Sequence, residues 1–262
     1  MDLGIGGRKA IVAGGSAGMG KSSARALARE GVEIVLSARG EARLAAAAQE
    51  IAAETGSEVT PVVADHGTAQ GRARLLEVCP EPDILVITCT PPVVTEDFRD
   101  ITVEDWNASV ATTLVGPIEL MRATLDGMAV RGFGRIVNIA TGAAKYPAVI
   151  RLLSGPTRSA LVNYTVAVSK AMARHNVAIN NILPGMFHTA TMYERFTAEA
   201  ERNGTSYDDE VTRFVAQWNI PAGRFGDPDD LGAFVAMFCS RQANFTIGQS
   251  LVIDGGLING LF

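Results

Sequence analysis

The sequence predicts an α/β fold in which one doubly wound parallel sheet is flanked by helices. Short apolar runs alternate with amphipathic stretches along all 262 residues, the pattern of strands joined by crossover helices. Within Asp83–Thr88 four successive residues are apolar, which is typical of a central strand covered on both faces. No linker, repeat or low-complexity tract interrupts the alternation. We therefore expect residues 1–262 to form a single domain.

The predicted elements follow one another in a regular order, and the Pro91–Pro92 pair marks a loop between two of them. Strands are expected at 9–13, 32–37, 58–64, 83–88, 134–139, 177–183 and 250–253. Helices are expected at 21–30, 41–54, 67–79, 103–128, 154–175 and 227–240.

The stretch 186–220 is polar and aromatic and follows the carboxyl end of the strand at 177–183. Segments at this position of a parallel sheet commonly shape the substrate pocket. We expect two short helices here that form a substrate lid. His188 lies at its beginning, where it either faces substrate or is polar lining.

Composition excludes several classes of partner. The net charge of −5 comes without a basic cluster, so we expect no nucleic-acid binding. The apolar runs stay well short of the roughly 18 residues of a membrane span. The three cysteines lack metal-ligand spacing and fit a reduced compartment. The sequence thus predicts a cytoplasmic protein with a small-molecule substrate and no metal.

A glycine-rich turn, Ala13–Gly20, stands between the first strand and the first helix. Glycines there let the backbone approach a pyrophosphate, and the free amides of the helix N-terminus attract its charge. The strand–turn–helix context favours a dinucleotide site over an ordinary tight turn. The predicted contacts are Gly14, Ser16, Ala17, Gly18, Met19 and Gly20.

The second strand ends at Ser37-Ala38-Arg39, where a doubly wound fold meets the adenosine ribose. An acidic residue there would accept from the 2′-hydroxyl of NAD, whereas an arginine suits a 2′-phosphate. NADP(H) is therefore favoured over NAD(H). In the alternative, Arg39 is a solvated loop residue.

Further segments resemble one known family. Ala13-Gly14-x-x-x-Gly18-x-Gly20, Pro184-Gly185-Met-Phe-His-Thr189 and the tail Ile247-Gly248-Gln…Asp254-Gly-Gly are similar to signatures of the short-chain dehydrogenase/reductases. The resemblance runs from end to end and implies a Rossmann fold and NAD(P)(H)-dependent oxidoreductase activity. It also implies further cofactor contacts by Asp65, His66, Cys89, Arg158, Pro184, Gly185 and Thr189.

The resemblance also locates the family's catalytic Asn, Ser, Tyr and Lys. Seven residues beyond Trp106, Thr113 stands at the Asn position, and Thr141 stands at the Ser position. Ser154, thirteen residues after Thr141, stands at the Tyr position, and Arg158, four residues further on, stands at the Lys position. All four residues of the set are replaced, and Ile87–Thr90 stands where Asn-Asn-Ala-Gly is usual.

These replacements alter the expected chemistry. Losing a matched acid such as Tyr typically costs about 10²–10⁴ in rate, and serine is a far poorer acid. Arg158 stays cationic and could hold ribose hydroxyls, and Thr141 keeps a donor that polarises a carbonyl. Thr113 keeps one hydroxyl but loses the amide that supports a water relay in the family.

Each position also has a structural alternative. Ser154 fits a helix N-cap with no chemistry, and Arg158 could anchor a carboxylate. Tyr146, five residues past Thr141, is a candidate for a relocated proton donor, or a packing or surface tyrosine.

Three functions follow. The first is an oxidoreductase with atypical catalytic residues acting on a carbonyl, alcohol, enone or imine. The second is a non-redox enzyme on the same scaffold, because the related halohydrin dehalogenases carry an arginine where Arg158 stands. The third is a cofactor-binding pseudoenzyme.

The resemblance further implies a homotetramer or homodimer, and the apolar ending Leu257–Phe262 is compatible with burial between subunits.

Overall fold

The sheet of this protein places seven strands side by side in one direction. A computed structural model describes residues 1–89, 92, 94, 95 and 97–258. Among them the strand order is β3-β2-β1-β4-β5-β6-β7, and every neighbouring pair is parallel. This confirms the predicted fold class. The strands are β1 (Lys9–Ala13), β2 (Glu33–Ala38), β3 (Val59–Val63), β4 (Ile84–Ile87), β5 (Gly134–Ile139), β6 (Val177–Pro184) and β7 (Ser250–Ile253).

Helices cover both faces of the sheet, so the sheet is doubly wound. In the described residues they are α1 (Gly18–Arg29), α2 (Glu41–Thr55), α3 (Ala69–Val78), α4 (Val103–Val110), α5 (Gly116–Arg131), α6 (Gly155–Met172), α7 (Ala190–Asn203), α8 (Tyr207–Gln217) and α9 (Pro228–Cys239). Helices α1, α2 and α9 pack on one face and α3, α5 and α6 on the other. Val12 of β1 packs in the core under α1, α2 and α9, and Ile11 packs in the core under α3, α5 and α6. Successive side chains of a strand point to opposite faces of the sheet.

The predicted helical stretch at 103–128 is confirmed, but a π-helical turn divides it into two α-helices. Helix α4 ends at Val110, a π-helical turn follows over Ala111–Val115, and α5 continues to Arg131. Hydrophobic periodicity indicates a helix but does not reveal a local change of hydrogen-bond spacing. Such π-turns often lie at functional sites, and this one contains Thr113.

The segment 186–220 has a small core of its own. Its helices α7 and α8 are the two short helices expected there. Five buried side chains join them, and Phe196 meets Phe214 edge to ring at 5.4 Å. Ser206 and Asp209 form a capping box at the start of α8. The buried set is Phe196, Val211, Val215, Ile220 and Phe225.

Some predictions fall at or beyond the limits of the described residues. Thr90 and Pro91 lie outside them, as do residues 259–262 of the apolar ending. No described helix combines the length and apolar character that crossing a membrane requires.

Replacing Phe196 by alanine should loosen the 186–220 segment without unfolding the sheet. A buried Phe→Ala change costs about 3–5 kcal/mol, and the Phe196 ring packs locally, against α7, α8 and the turn that follows them. Hydrogen exchange should accelerate in α7 and α8 but not in β1 or β4. The control is Phe245→Ala, whose ring is 95% exposed. Equal acceleration throughout the sheet would contradict a separate core.

Candidate active site

The glycine-rich turn is built as an anion cradle. Gly14 has a φ of +87° and Gly18 a φ of +53°, conformations that L side chains rarely adopt. A Cβ on Gly14 would overlap the carbonyl oxygen of Thr88. Helix α1 begins at Gly18, and its N-cap Ala17 gives no side-chain hydrogen bond. Among the described residues no side chain therefore occupies the first amides of α1, which leaves them for an anion.

Neighbouring contacts fix the shape of this turn. The amides of Gly14 and Gly15 both donate to the carbonyl of Ser37 at 2.9 Å. A Cβ on Gly20 would overlap the carbonyl of Gly14. Met19, in the first turn of α1, packs against the hydrophobic core. Ser16 is half-buried in the turn. The cradle is thus preorganised for a pyrophosphate, and its residues fit a dinucleotide.

The segment after β6 lies against this turn. Thr189 Cγ2 is 3.2 Å from where a Cβ on Gly18 would stand. The Gly185 amide donates to the Ile253 carbonyl at 2.9 Å, and Pro184 is the last, buried residue of β6. The structure therefore brings Thr189 to the cradle, while Pro184 and Gly185 lie against β7, and their cofactor contacts stay predictions from the resemblance.

An open cleft of about 260 Å³ lies beyond the ends of β2 and β3. Arg39, Asp65 and Arg74 line it, and neither arginine forms an ion pair with a described residue. The Asp65 carboxylate accepts from the Gly67 amide at 2.9 Å, which fixes its orientation. Sequence reasoning missed Arg74. The one available signal was its position on α3, three residues after Gly71, and Gly71 also lines the cleft.

His66 lies behind this cleft rather than on its wall. Its side chain is buried, and Nε2 has no hydrogen-bond partner in the described structure. Its carbonyl oxygen would lie 2.7 Å from a Cβ on Gly116, at the start of α5. Burial lowers the pKa of the imidazole, against the opposing charge of Asp65. His66 is therefore not among the residues that line the cleft, and its cofactor contact stays a prediction from the resemblance.

Arg158 links Ser154 to Cys89 at the centre of the sheet edge. Its side chain is only 3% exposed, and Nη1 donates to Ser154 Oγ at 2.6 Å. Nη2 donates to Cys89 Sγ at 3.0 Å and to the Cys89 carbonyl at 3.3 Å. All of these partners are neutral groups, and no described carboxylate pairs with Arg158. The alternative of a carboxylate anchor for Arg158 is therefore wrong within the described residues.

The hydroxyl of Ser154 does not cap α6. Ser154 precedes the helix, as expected of an N-cap, but its side chain forms no capping hydrogen bond. Its backbone is itself helical, with φ −104° and ψ −47°, whereas a capping residue has extended backbone. The hydroxyl oxygen instead accepts from Arg158, so its proton remains free to donate.

The turn after β5 packs on the first turn of α6. The Ala143 carbonyl would lie 2.9 Å from a Cβ on Gly155, and Ser159 Oγ donates to the Ala144 carbonyl at 2.6 Å. Thr141 begins this turn, and its hydroxyl oxygen accepts from the Ala143 amide at 3.3 Å. Thr141 thus also accepts one hydrogen bond and keeps a proton to donate, like Ser154.

Thr113 serves the packing beneath this site. It is 1% exposed, and its hydroxyl bonds the Ser109 carbonyl at 2.7 Å and Thr157 Oγ1 at 2.6 Å. Ser109 in turn donates to the carbonyl of Leu153. These bonds tie α4 and the π-turn to the start of α6, so Thr113 supports the site rather than facing it.

The side chains of Tyr146 and His188 differ in whether a described residue holds them. Tyr146 is half-buried, and its amide donates to the Gly142 carbonyl at 3.0 Å, while its phenol bonds no described residue. His188 Nδ1 lies 2.8 Å from the Tyr207 hydroxyl, which holds its ring against α8. The structure thus ties His188 to α8, and the roles of His188 and Tyr146 at the site stay predictions.

Comparison with known proteins gives a consistent result. A family model described as enoyl-(acyl carrier protein) reductase matches residues 13–258. Gluconate 5-dehydrogenase of Gluconobacter oxydans is 30% identical, over 97% of this chain and 95% of its own. The NADPH-dependent reductase BacG of Bacillus subtilis is 26% identical, over 97% and 99%. L-sorbose reductase of Gluconobacter frateurii, crystallised with NADPH and L-sorbose, superposes with a TM-score of 0.95 at 28% identity and covers both chains fully.

The buried His66 should make stability depend on pH. Because burial lowers its pKa below the ordinary 6.5, the unfolded chain binds a proton below pH 6.5 that the native state resists. Stability is therefore lost as pH falls through that value, by at most about 1.4 kcal/mol per pH unit. Urea unfolding of His66→Gln at pH 7.5 and 5.5 should show a weaker pH dependence than wild type. The exposed control His175→Gln should match wild type, and an unchanged dependence in His66→Gln would contradict the assignment.

Proposed function

This chain belongs to the short-chain dehydrogenase/reductase family of NAD(P)-dependent oxidoreductases, and we propose that it is an NADP(H)-dependent reductase or dehydrogenase with an atypical proton donor. The observation that carries the proposal is the Ser154–Arg158 contact at 2.6 Å. It lies on the same sheet edge as the glycine cradle. A cofactor-binding pseudoenzyme would need the cradle. It would not need the Ser154 hydroxyl to be held by Arg158 with its proton free to donate.

The cofactor, when bound, supplies the hydride, so the protein must hold and orient the reactants. Gly14, Gly18 and Gly20 admit the pyrophosphate to the amides of α1. Thr189 closes over Gly18 from the segment after β6. Arg158 keeps guanidinium N–H groups beyond those used by Ser154 and Cys89, and these could hold the nicotinamide ribose hydroxyls.

Ser154 and Thr141 are proposed to bind the carbonyl oxygen of the substrate. Each accepts one hydrogen bond from the protein and donates its proton to that oxygen. As the carbonyl carbon gains a hydride, its oxygen becomes an alkoxide, and the two donors stabilise this charge. The Arg158 cation stabilises it further through Ser154. The oxygen takes one proton, replaced from solvent, so that one hydride and one proton convert carbonyl to alcohol.

Two arginines support a preference for NADP(H). Arg39 and Arg74 line one cleft at the end of β2, and within the described structure neither is neutralised by an ion pair. A 2′-phosphate would supply the missing negative charge. The NADPH in the L-sorbose reductase structure and the NADPH dependence of the BacG protein are in line with this preference.

Other features of the proposal remain predictions from the sequence. The segment 186–220 is proposed as a substrate lid, and Tyr146 as an auxiliary donor. The protein is proposed to act in the cytoplasm as a homotetramer or homodimer. A non-redox enzyme with Arg158 at its centre is the alternative if no hydride transfer occurs.

Replacing Ser154 by alanine should impair turnover but not cofactor binding. A panel of ketones, enones and imines first identifies a substrate by NADPH oxidation at 340 nm. Removing one oxyanion donor costs about 10²–10³ in kcat, so Ser154→Ala should lose that much with the NADPH Kd unchanged. The control is Asn163→Ala, an exposed position on the same helix. Full activity of Ser154→Ala, or no turnover by wild type across the panel, would contradict the proposal.

Arg39→Ala and Arg74→Ala should each weaken NADPH without affecting NADH. A charge-assisted hydrogen bond contributes about 1.5–3 kcal/mol, which corresponds to roughly 10–100-fold in Kd. The comparison is by calorimetry, with Arg43→Ala, an exposed arginine of α2 outside the cleft, as the control. Equal losses for both nucleotides would show that these arginines do not read the 2′-phosphate.

A further inference from the structure

Cys89 receives two hydrogen bonds from the guanidinium of Arg158. Arg158 Nη2 donates to Cys89 Sγ at 3.0 Å and to the Cys89 carbonyl at 3.3 Å, while Nη1 donates to Ser154 Oγ at 2.6 Å. A guanidinium is planar, and its N–H groups form a rigid fork. Because Cys89 fixes Nη2, it also fixes the direction in which Nη1 points, and that direction is toward Ser154.

The backbone beside Cys89 is held by the sheet and by the glycine-rich turn. Cys89 is the second residue beyond β4, which lies between β1 and β5. The amide of Thr88 donates to the Ala13 carbonyl at 2.9 Å, and the Thr88 carbonyl oxygen would overlap a Cβ on Gly14. The chain at Cys89 therefore has a fixed place from which its sulfur and its carbonyl can orient Arg158.

This contact distinguishes Cys89 from the other two cysteines. Cys79 and Cys239 are buried, whereas Cys89 is half-buried. Within the part of the chain that the structure describes, Cys89 is the one cysteine whose sulfur accepts a hydrogen bond from a side chain. The sulfur of Cys89 thus has a polar partner, and that partner also holds the proposed proton donor.

The acceptors that Cys89 offers carry no charge. Arg158 is only 3% exposed, so its electrostatic effect on neighbouring groups is weakly screened. A carboxylate would bind the guanidinium more strongly, but it would also offset the positive charge beside Ser154. A thiol and a carbonyl are weaker acceptors. They orient the guanidinium and leave its charge to act on an alkoxide at Ser154.

We propose that Cys89 is a positioning residue of this site, whose sulfur and carbonyl hold Arg158 against Ser154 without neutralising the guanidinium. This inference rests on the proposed function, because it explains how the proton donor of that function is held. The sulfur acts through Arg158 and not on the substrate. If Sγ is removed, one N–H group of Nη2 loses its acceptor in a buried place. The guanidinium then turns away from its present position, and the Ser154 hydroxyl loses its fixed orientation.

The first test needs no turnover. In protein labelled with ¹⁵N-arginine, the side-chain signals of Arg158 are assigned by their loss in Arg158→Lys. Wild type should show separate Nη signals, because hydrogen bonds on both nitrogens hinder rotation about the Cζ–Nη bonds. Cys89→Ala should average these signals, whereas Cys89→Ser, whose hydroxyl also accepts, should keep them separate. The control is Cys79→Ala, which removes a buried thiol near Lys9, at the opposite end of β1.

The second test is a double-mutant cycle with Ser154, measured with NADPH and a carbonyl substrate. Cys89→Ala should lower kcat about tenfold to a hundredfold, as expected of a misplaced catalytic group, with KM nearly unchanged. Cys89→Ser should recover most of this loss. In the Ser154→Ala background, Cys89→Ala should have almost no further effect, because Cys89 acts on Ser154 through Arg158. Cys89→Asp should keep the Arg158 signals separate and still lower kcat, since its carboxylate offsets the charge.

The outcomes separate this inference from the proposed function. Unchanged Arg158 signals in Cys89→Ala, or an equal loss of kcat in the presence and absence of Ser154, would overturn the inference and leave the reductase proposal standing. Separate Arg158 signals that depend on Cys89, in a protein that turns over no carbonyl, would support the positioning role and contradict the reductase. Signals averaged equally in Cys79→Ala would also overturn the inference. Thermal melting verifies that each variant is folded.

Discussion

Every described strand of the sheet runs in the same direction, and the rest of the molecule depends on this constraint. Parallel strands need crossover helices, and these bury both faces of the sheet in two cores. All carboxyl ends then meet at one edge, where ligands bind in open α/β sheets. The Gly14 turn, Asp65, Cys89, Thr141 and Pro184 all lie at or just beyond strand ends. Residues that are far apart in the sequence therefore lie together at this edge, and no single segment of the chain contains all of them.

The charge of that edge sets its chemistry. Arg158 is buried among neutral partners, an arrangement that is unfavourable unless something at the site makes use of the positive charge. In the proposed function, its bond to Ser154 orients the hydroxyl as a donor, and its positive charge stabilises the oxyanion that forms there.

The sequence was sufficient for the features that follow from local pattern. Continuous apolar runs predict β1 and β4, and glycine spacing predicts the cradle, because both patterns are formed by residues adjacent in the sequence. The π-turn around Thr113 was missed, since a shifted hydrogen bond leaves hydrophobic periodicity unchanged. Arg74 was missed because its role depends on which residues line the cleft around it in three dimensions. Ser154 was placed correctly at the start of α6, but only the structure shows that its hydroxyl serves Arg158 instead of the helix.

The most direct test is a calorimetric titration of nucleotide-free protein with NADPH and with NADH. The account predicts that both bind at the Gly14–Gly20 cradle and that NADPH binds more tightly, by roughly tenfold or more, because Arg39 and Arg74 meet its 2′-phosphate. Absence of binding by either nucleotide would contradict the account. It would mean that the cradle serves folding alone and that the chemistry of Ser154 and Arg158 is not hydride transfer.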